Sequence, residues 1–279
     1  MRRLTLLPPF DRLWAGRDPF AAVAELADSA RPEAITRDVE GRRTLRFEVA
    51  GRGYYLKWQQ GIGWGRILSE LLRLRRPVLG AGNEWRAIQA CHALGVPTMT
   101  AAAYGEQGRG WARRSSFLIT EAIEPAVDLD TLTRGWRTAP PDPAFKRALL
   151  REVARMARAL HEGGLNHRDF YLCHFLLLTT PSPTAQDLQL ALIDLHRLQI
   201  RRHTPQRWRN KDLAALNFSA LDISLTRRDR LRFLRAYFAA PLRDILAREA
   251  DRLRWLDCEA RRLALRYQRK FAHRPTQQR

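Results

Sequence analysis

The stretch LNHRDFYLCHFLL at residues 165–177, followed by LIDLHRLQIRR at 192–202, decides the fold that we expect. Each stretch contains one carboxylate in a distinctive setting. Asp169 follows a helix-breaking Gly163-Gly164 pair, and Asp194 ends a short apolar segment about 25 residues later. Phosphoryl transfer to a hydroxyl needs one carboxylate that accepts the hydroxyl proton and another that holds the metal bridging the ATP phosphates. A loop aspartate followed by a strand-end aspartate can supply both roles.

This order and spacing match the HRD motif and the later metal-binding aspartate of protein kinases. Because His167-Arg168-Asp169 alone could be a chance tripeptide on a surface turn, the prediction depends on further residues. Lys57 lies near the end of a predicted strand, where a lysine can contact the α- and β-phosphates. Glu84 lies in the next predicted helix and can pair with the Lys57 ammonium. The alternatives are an edge-strand lysine that prevents aggregation and a solvated glutamate favoured by the helix dipole.

The order of the predicted elements indicates two lobes. Strands are predicted at about 35–40, 44–49, 54–58, 98–104 and 115–121, with one helix at 82–94 among them. Beyond a Pro-rich linker, helices are predicted at 142–162, 207–219, 227–239 and 241–271, with short strands near 175–178 and 190–194. We therefore predict an α+β, bilobal, protein-kinase-like fold. Its small β-rich N-lobe, residues 1–123, covers the nucleotide, and its larger helical C-lobe, residues 124–279, carries the catalytic loop, the metal site and the acceptor side.

Two segments of the predicted N-lobe are assigned to nucleotide contacts. The apolar strand FLITEAI at 117–123 runs into the linker, where a bilobal kinase has its hinge. Main-chain groups of Glu121 and Ile123 are therefore predicted to meet adenine. A long Gly-x-Gly-x-x-Gly loop is absent from the sequence, so the short turn at Gly41 is left to cover the phosphates.

The composition limits the partners and the compartment that we expect for the protein. The formal net charge is +20, nearly all of it from arginine, and it favours an anionic partner: nucleic acid, an acidic protein or an anionic lipid surface. No zinc finger or RNA-recognition motif is present in the sequence, and we do not predict a nucleic-acid partner. The three cysteines fit neither a disulfide framework nor a zinc site. No apolar run approaches the roughly 20 residues of a membrane span, so we expect a cytoplasmic protein.

Three further segments make the comparison with kinases more specific. They are PVLGAGNEWRAI at 77–88, RWRNKDLAALNFSALDISLTRRD at 207–229 and YFAAPLRDIL at 237–246. With the two stretches quoted first, they resemble the family of lipopolysaccharide core heptose(I) kinases, which are related to Kdo kinases and to protein kinases. The resemblance extends from about residue 40 to 250. It implies ATP- and Mg²⁺-dependent phosphorylation of the first inner-core heptose at O4, on a lipid A-linked acceptor, with Asp169 as the catalytic aspartate.

Two positions depart from the protein-kinase pattern. His174, the fifth residue after Asp169, stands where protein kinases have a metal-binding asparagine, and the heptose kinases resemble this chain in having histidine there. We name His174 and Asp194 as the candidate metal ligands. Because imidazole is a poor ligand for magnesium, the alternative is that His174 contacts phosphate or holds the loop. Asp194 is followed by Leu195-His196 rather than Phe-Gly, so we predict activity without a flip-type activation switch.

The resemblance gives the positive charge a role. Inner-core lipopolysaccharide carries Kdo carboxylates and lipid A phosphates, and arginine suits both through bidentate pairing. Candidates are Arg201, Arg202, Arg207 and Arg209, unless they form a solvated surface. Residues 66–79 place apolar and basic side chains at near-helical spacing. They are predicted to contact the cytoplasmic face of the inner membrane peripherally, unless their leucines pack on the N-lobe. An acidic partner protein is a further expectation from the charge.

The sequence leaves the acceptor open when it is read without the resemblance. The alternatives are a related kinase that acts on Kdo, on a second heptose, on a small molecule or on a protein tyrosine. A non-catalytic pseudokinase that serves as a scaffold is another alternative, but the presence of Lys57, Asp169 and Asp194 argues against it. The kinase prediction requires that these three side chains share one triphosphate.

Overall fold

The structure is a computed structural model, and it describes residues 2–39, 42–61, 80–108 and 114–271. The predictions for Gly41 and for residues 66–79 lie outside these ranges. The chain divides into two compact units. The first unit comprises Met1–Ala93, Pro97–Glu124 and Asp194–Leu198, and the second comprises Leu94–Val96, Pro125–Ile193 and Gln199–Arg279. The assignment of nucleotide and acceptor roles to residues 1–123 and 124–279 stays a prediction.

A six-stranded antiparallel sheet dominates the first unit, with the spatial order β1-β5-β6-β4-β3-β2. Its strands are β1 (Arg2–Leu6), β2 (Ile35–Val39), β3 (Arg42–Val49), β4 (Arg52–Gln59), β5 (Ala101–Gln107) and β6 (Ser115–Glu121). The turn between β3 and β4 consists of Ala50 and Gly51, both with positive φ, as in the primed turns that suit the twist of a hairpin. The strands predicted at 44–49 and 54–58 are confirmed as β3 and β4, whereas β1 was not predicted and β5 lies about three residues later than expected.

The period-two alternation of strand residues explains why Lys57 is available to a site. Tyr54 and Leu56 of β4 are fully buried in an aromatic-rich core that includes Phe10 and Phe20. Those phenylalanines come from two short helices, α1 (Phe10–Leu13) and α2 (Pro19–Asp28). Because successive strand residues point to opposite faces, Lys57 leaves the sheet on the other side. There it meets α3 (Gly82–Ala93), which packs against β5 and β6.

The second unit is mainly helical. Its helices are α4 (Leu129–Thr133), α5 (Pro143–Glu162), α6 (Gln206–Ser219), α7 (Arg227–Phe238), α8 (Leu242–Arg248) and α9 (Ala250–Phe271). Its short strands are β7 (Ala126–Asp128), β8 (Leu165–Asn166), β9 (Phe175–Leu178), β10 (Leu190–Leu192) and β11 (Gln199–Ile200). The Asp142 carboxylate caps α5 by accepting the Phe145 N–H at 2.8 Å. Beyond the other end of α5, Gly164 has a φ of 84°, a left-handed conformation that glycine favours after a helix.

The start of α7 is fixed by a buried aspartate. Thr226 and Asp229 form a capping box, with hydrogen bonds in both directions. The Asp229 carboxylate is 2% exposed and also pairs with the Lys146 ammonium of α5 at 2.8 Å. Burial alone would raise the pKa of Asp229, but the hydrogen bonds from Lys146 and Thr226 lower it to about 2. This group therefore joins two helices of the second unit.

One predicted helix, 241–271, is two helices in the structure. α8 ends at Arg248 and α9 begins at Ala250, because the backbone of Glu249 leaves helical geometry with φ −108° and ψ 10°. The break changes which residues face the core. Ile245 and Leu256 are buried, whereas Leu246 is 43% exposed. None of the helices in the described ranges is both long enough and apolar enough to cross a bilayer.

Candidate active site

The first unit brings together three of the predicted site residues. The Lys57 ammonium lies 2.6 Å from the Glu84 carboxylate and 3.6 Å from Oδ1 of Asp194. Glu84 is almost fully buried, so its charge is offset by the lysine rather than by water. Burial disfavours the charged form of Lys57, but the two carboxylates outweigh it and the pKa of Lys57 lies above its ordinary value. Lys57 therefore presents a fixed positive charge, which suits a phosphate.

The segment that carries Asp194 is held in place by two residues that the sequence analysis did not assign. His196 Nδ1 donates to Oδ1 of Asp194 at 2.6 Å. The Asn83 amide donates to the carbonyl oxygens of His196 and Leu198 at 2.8 and 3.0 Å. Asn83 directly precedes Glu84, so one end of α3 positions both the partner of Lys57 and the Asp194 segment. Asp194 itself has a φ of 60°, an uncommon conformation for a non-glycine residue.

The predicted hinge residues follow β6 in the first unit. The Glu121 N–H donates to the Thr100 carbonyl at 2.9 Å, and the Ala122 N–H donates to the Gly53 carbonyl at 2.9 Å. Within the described residues, the Ile123 N–H has no main-chain acceptor. Of these three N–H groups, the one on Ile123 remains for a ligand.

The second unit contains the catalytic loop, and a buried carboxylate organises its backbone. Asp212 of α6 is 1% exposed and accepts hydrogen bonds from the N–H groups of His167 at 2.7 Å and Arg168 at 2.9 Å. His161 Nε2 lies 3.3 Å from the same carboxylate, and its Nδ1 lies 2.8 Å from the Tyr237 hydroxyl. Arg168 has a φ of 76°, so the loop is strained at the residue before Asp169. The Asp212 hydrogen bonds stabilise this conformation.

His167 and His174 connect the loop to the strand that ends before Asp194. Desolvation lowers the pKa of the buried His167, which stays neutral, and its Nε2–H donates to the Ile193 carbonyl at 3.0 Å. The Ile193 N–H donates to the His174 carbonyl at 2.9 Å. His174 Nδ1 donates to the Asp169 carbonyl at 2.6 Å. This hydrogen bond is the contact that the alternative role of His174, holding the loop, requires.

The proposed metal ligands are oxygen and nitrogen donors that lie in different units. Asp194 belongs to the first unit and His174 to the second. Among the described residues, no three His, Cys, Asp or Glu side chains form a cluster that could hold a metal ion. Since Nδ1 of His174 is engaged with Asp169, only its Nε2 could serve a metal.

Sequence reasoning missed Asp212, Asn83 and His196. Asp212 had a detectable signal, because it is a carboxylate followed by the apolar residues of the same helix, LAAL at 213–216. A buried acid in such a helix must have specific partners. Asn83 and His196 had no comparable signal, since polar residues beside a motif are common on protein surfaces. Their partners become visible only when α3 and residues 194–198 are placed together.

Comparisons with known proteins identify the family of the chain. The profile of the "Lipopolysaccharide kinase (Kdo/WaaP) family" matches residues 28–237. The chain is 56% identical over 267 residues to the lipopolysaccharide core heptose(I) kinase WaaP of Pseudomonas aeruginosa, covering 96% of this chain and 98% of that protein. It is 46% identical to the Escherichia coli heptose(I) kinase WaaP, covering 95% and 98%.

A solved structure is also similar. The structure titled "WaaP in complex with acyl carrier protein" superposes with a TM-score of 0.81 at 52% sequence identity, covering 94% of this chain and 99% of that chain. The α+β, protein-kinase-like fold class is thereby confirmed, because a kinase-family member with this degree of identity shares the fold over nearly the whole chain. The chain belongs to the lipopolysaccharide kinase (Kdo/WaaP) family.

Proposed function

We propose that this protein is an ATP-dependent kinase that phosphorylates the first heptose of the lipopolysaccharide inner core. The observation that carries the proposal is the Lys57–Glu84–Asp194 arrangement, found in a chain 56% identical to a heptose(I) kinase over 96% of its length. A lysine held by a buried glutamate is the phosphate-binding device of protein kinases. We further propose O4 of the heptose as the hydroxyl that receives the phosphate, as the resemblance to the family implies.

The proposed reaction needs one proton acceptor and one source of positive charge. The acceptor hydroxyl oxygen forms a bond to the γ-phosphorus, and the bond from that phosphorus to the β,γ-bridging oxygen breaks. ADP leaves with the electron pair of the broken bond, and the hydroxyl proton passes to the Asp169 carboxylate. Lys57 orients and neutralises the α- and β-phosphates. The hydrogen bonds from the His167 and Arg168 N–H groups to Asp212 keep the loop that presents Asp169 in one conformation.

Magnesium fits the donors that this chain offers. The Asp194 side chain is 31% exposed, so it can be reached by a hard cation, which prefers carboxylate oxygen. We assign Asp194 as the main protein ligand and His174 Nε2 as the second. Bound with ATP, the ion would neutralise phosphate charge. Adenine is assigned to the main chain of Glu121 and Ile123, with the N–H of Ile123 as the donor.

Partners and location are proposed from charge and from the acceptor. The acceptor is linked to lipid A, so the enzyme works at the cytoplasmic face of the inner membrane as a peripheral protein. The net charge of +20 favours such an anionic surface. The relative in the solved structure is in complex with acyl carrier protein. We assign an acidic protein of that kind as a partner here, and co-purification of an acidic protein with the full chain tests it.

The central test compares Asp169→Ala with the wild type on heptosylated lipid A–Kdo acceptor, with ATP and magnesium. Loss of the proton acceptor is expected to lower kcat by about 10²–10⁴-fold, while the Kd for ATP changes less than about twofold, since Lys57 and Asp194 are intact. The matched control is Asp222→Ala, an exposed aspartate in the same unit. Full activity of Asp169→Ala would show that Asp169 does not accept the hydroxyl proton.

Product analysis separates the remaining alternatives. Phosphorus NMR of the product identifies the hydroxyl that carries the phosphate. Transfer to Kdo, to a second heptose, to a small molecule or to tyrosine, but not to the first heptose, would replace the proposed acceptor. A wild-type protein that transfers phosphate to none of them would be a scaffold rather than an enzyme.

A further inference from the structure

Four cationic side chains surround one indole ring in the second unit. The Lys211 ammonium lies 4.7 Å from the centroid of the Trp208 ring, and the guanidinium carbons of Arg207, Arg201 and Arg168 lie at 5.3, 5.5 and 5.8 Å. Each distance is within the range of a cation–π contact. We call these five residues the Trp208 cluster. Arg201 and Arg207 are among the basic candidates predicted from the sequence, and the structure adds their association with Trp208, Arg168 and Lys211.

Like charges gathered around a single ring repel one another, and the indole face offsets only part of that repulsion. In the part of the chain that the structure describes, Arg207 and Lys211 form no ion pair. Two hydrogen-bond partners of Arg201 are neutral amides, the side chains of Asn166 and Gln199. Asp212, four residues from Trp208 on α6, is committed to the backbone of His167 and Arg168. Arg207 and Lys211 therefore contribute positive charge to the cluster that no ion pair among the described residues offsets.

Orphaned hydrogen-bond donors lie in the same group of residues. The indole Nε1–H of Trp208 and the amide Nδ2 of Asn166 are both buried without a hydrogen-bond partner. Asn166 is fully buried, and its Oδ1 accepts from Arg201, so this amide is joined to the cluster. A buried donor without a partner is energetically unfavourable, and in native proteins such a group needs a specific explanation, one of which is a bound ion. Cations together with unsatisfied N–H donors fit an oxyanion.

We propose that the Trp208 cluster binds an oxyanion of the saccharide acceptor, a carboxylate or a phosphate, and this proposal rests on the proposed kinase function. The location supports an acceptor group rather than ATP. Arg168 directly precedes Asp169, so an anion held by the cluster lies next to the residue that receives the hydroxyl proton. The cluster thereby fixes the sugar adjacent to the reacting hydroxyl, and Arg207 and Lys211 are specificity-determining residues.

The experiment uses the full chain with both Arg207 and Lys211 changed to alanine. Loss of two charged donors is expected to raise the KM for heptosylated lipid A–Kdo acceptor by at least about tenfold, with the KM for ATP within about twofold. The charge-matched control is Arg227→Ala with Arg228→Ala, two exposed arginines of α7. A Trp208→Phe variant keeps an aromatic face but removes the orphaned N–H, and is expected to raise the acceptor KM by a smaller factor.

Modified acceptors identify the oxyanion. If the cluster holds a carboxylate, reducing the Kdo carboxyl groups to alcohols abolishes the difference between the wild type and the double variant. If it holds a phosphate, removing the lipid A phosphates does so instead. The proposal is overturned if the difference in acceptor KM persists on both modified acceptors. It is also overturned if the control variant shows the same rise in acceptor KM, or if the KM for ATP rises together with the KM for the acceptor.

A binding measurement keeps this test separate from the proposed function. Calorimetric titration of the unmodified acceptor into the full chain without nucleotide measures anion recognition directly. Tight binding by the wild type and at least about tenfold weaker binding by the double variant support the cluster even if the wild type transfers no phosphate. Equal binding by both proteins overturns the proposal that the Trp208 cluster binds the acceptor, even if phosphate is transferred. Thermal unfolding midpoints of the variants establish that each one is folded.

Discussion

Replacing Asp212 by asparagine tests whether a buried carboxylate holds the catalytic loop in its working conformation. One Asp212 oxygen accepts the Arg168 N–H and the other accepts the His167 N–H. Asparagine keeps a single acceptor oxygen and turns its NH₂ group towards the other donor. One charge-assisted hydrogen bond, worth about 1.5–3 kcal/mol, is lost and one buried N–H is left unpaired. Together these losses disfavour the observed loop conformation by about 2–4 kcal/mol.

That energy corresponds to a factor of roughly 30 to 1,000 in the population of the competent loop. Steady-state kinetics of Asp212→Asn should therefore show kcat reduced by a factor in this range. The Kd for ATP should stay within about twofold, because Lys57 and Glu84 are unaffected. Asp222→Asn, the same exchange at an exposed site, serves as the control.

A second measurement separates positioning from simple loss of stability. Urea unfolding gives the free energy of unfolding of both variants, and kcat is measured well below the transition where the protein is fully folded. If Asp212→Asn keeps kcat within about twofold of the wild type while folded, the loop does not depend on this carboxylate and the reasoning is refuted.

Three further outcomes follow from particular contacts. Glu84→Gln removes the charge that holds Lys57 at 2.6 Å and should weaken ATP binding about tenfold or more by calorimetry. The same exchange at the exposed Glu25 should leave ATP binding unchanged. An equal loss in both variants would show that Glu84 does not position Lys57 for ATP. Asn83→Ala removes two hydrogen bonds to the Asp194 segment and should lower kcat by roughly tenfold, with the far-ultraviolet circular dichroism spectrum unchanged. Because the pKa of Asp229 is held at about 2, below its unfolded value, its contribution of about 2 kcal/mol is present above pH 4 and lost as the pH falls towards 2. The free energies of unfolding of Asp229→Asn and of the wild type, measured with urea, should converge as the pH falls over that interval. If the difference between them stays constant with pH, the paired carboxylate does not contribute to stability.

The sequence was informative wherever a short periodic pattern decided the outcome. The alternation in β4 placed Lys57 on one face of the sheet and the buried Tyr54 and Leu56 on the other. The hairpin turn at Ala50-Gly51 fixed the register of that strand with β3. The capping box at Thr226 and the Gly163-Gly164 break set the limits of two helices. The functional pattern of Asp169 and Asp194 was recognisable because its spacing is itself a local property.

Long-range partners could not be predicted in the same way. Asp212 receives hydrogen bonds from residues more than 40 positions away, and nothing near it in sequence names those donors. The Trp208 cluster combines Arg168 from the loop with Arg201 beyond β11 and Lys211 on α6, so their common ring appears only after folding. The break at Glu249 was missed because a charged residue in an amphipathic pattern gives no stop signal.

The contacts around Asp194 also explain why a regulated kinase switch is not expected in this chain. In the first unit His196 donates to the Asp194 carboxylate, and Asn83 holds the following main chain through two carbonyl oxygens. Moving Asp194 away from Lys57 would break these contacts together, at a cost of roughly 3 kcal/mol or more. That cost leaves an alternative conformation with a population of about 1% or less. The histidine that replaces glycine after Asp194 thus does more than remove backbone freedom, because its side chain stabilises the one arrangement in which Asp194 faces the lysine.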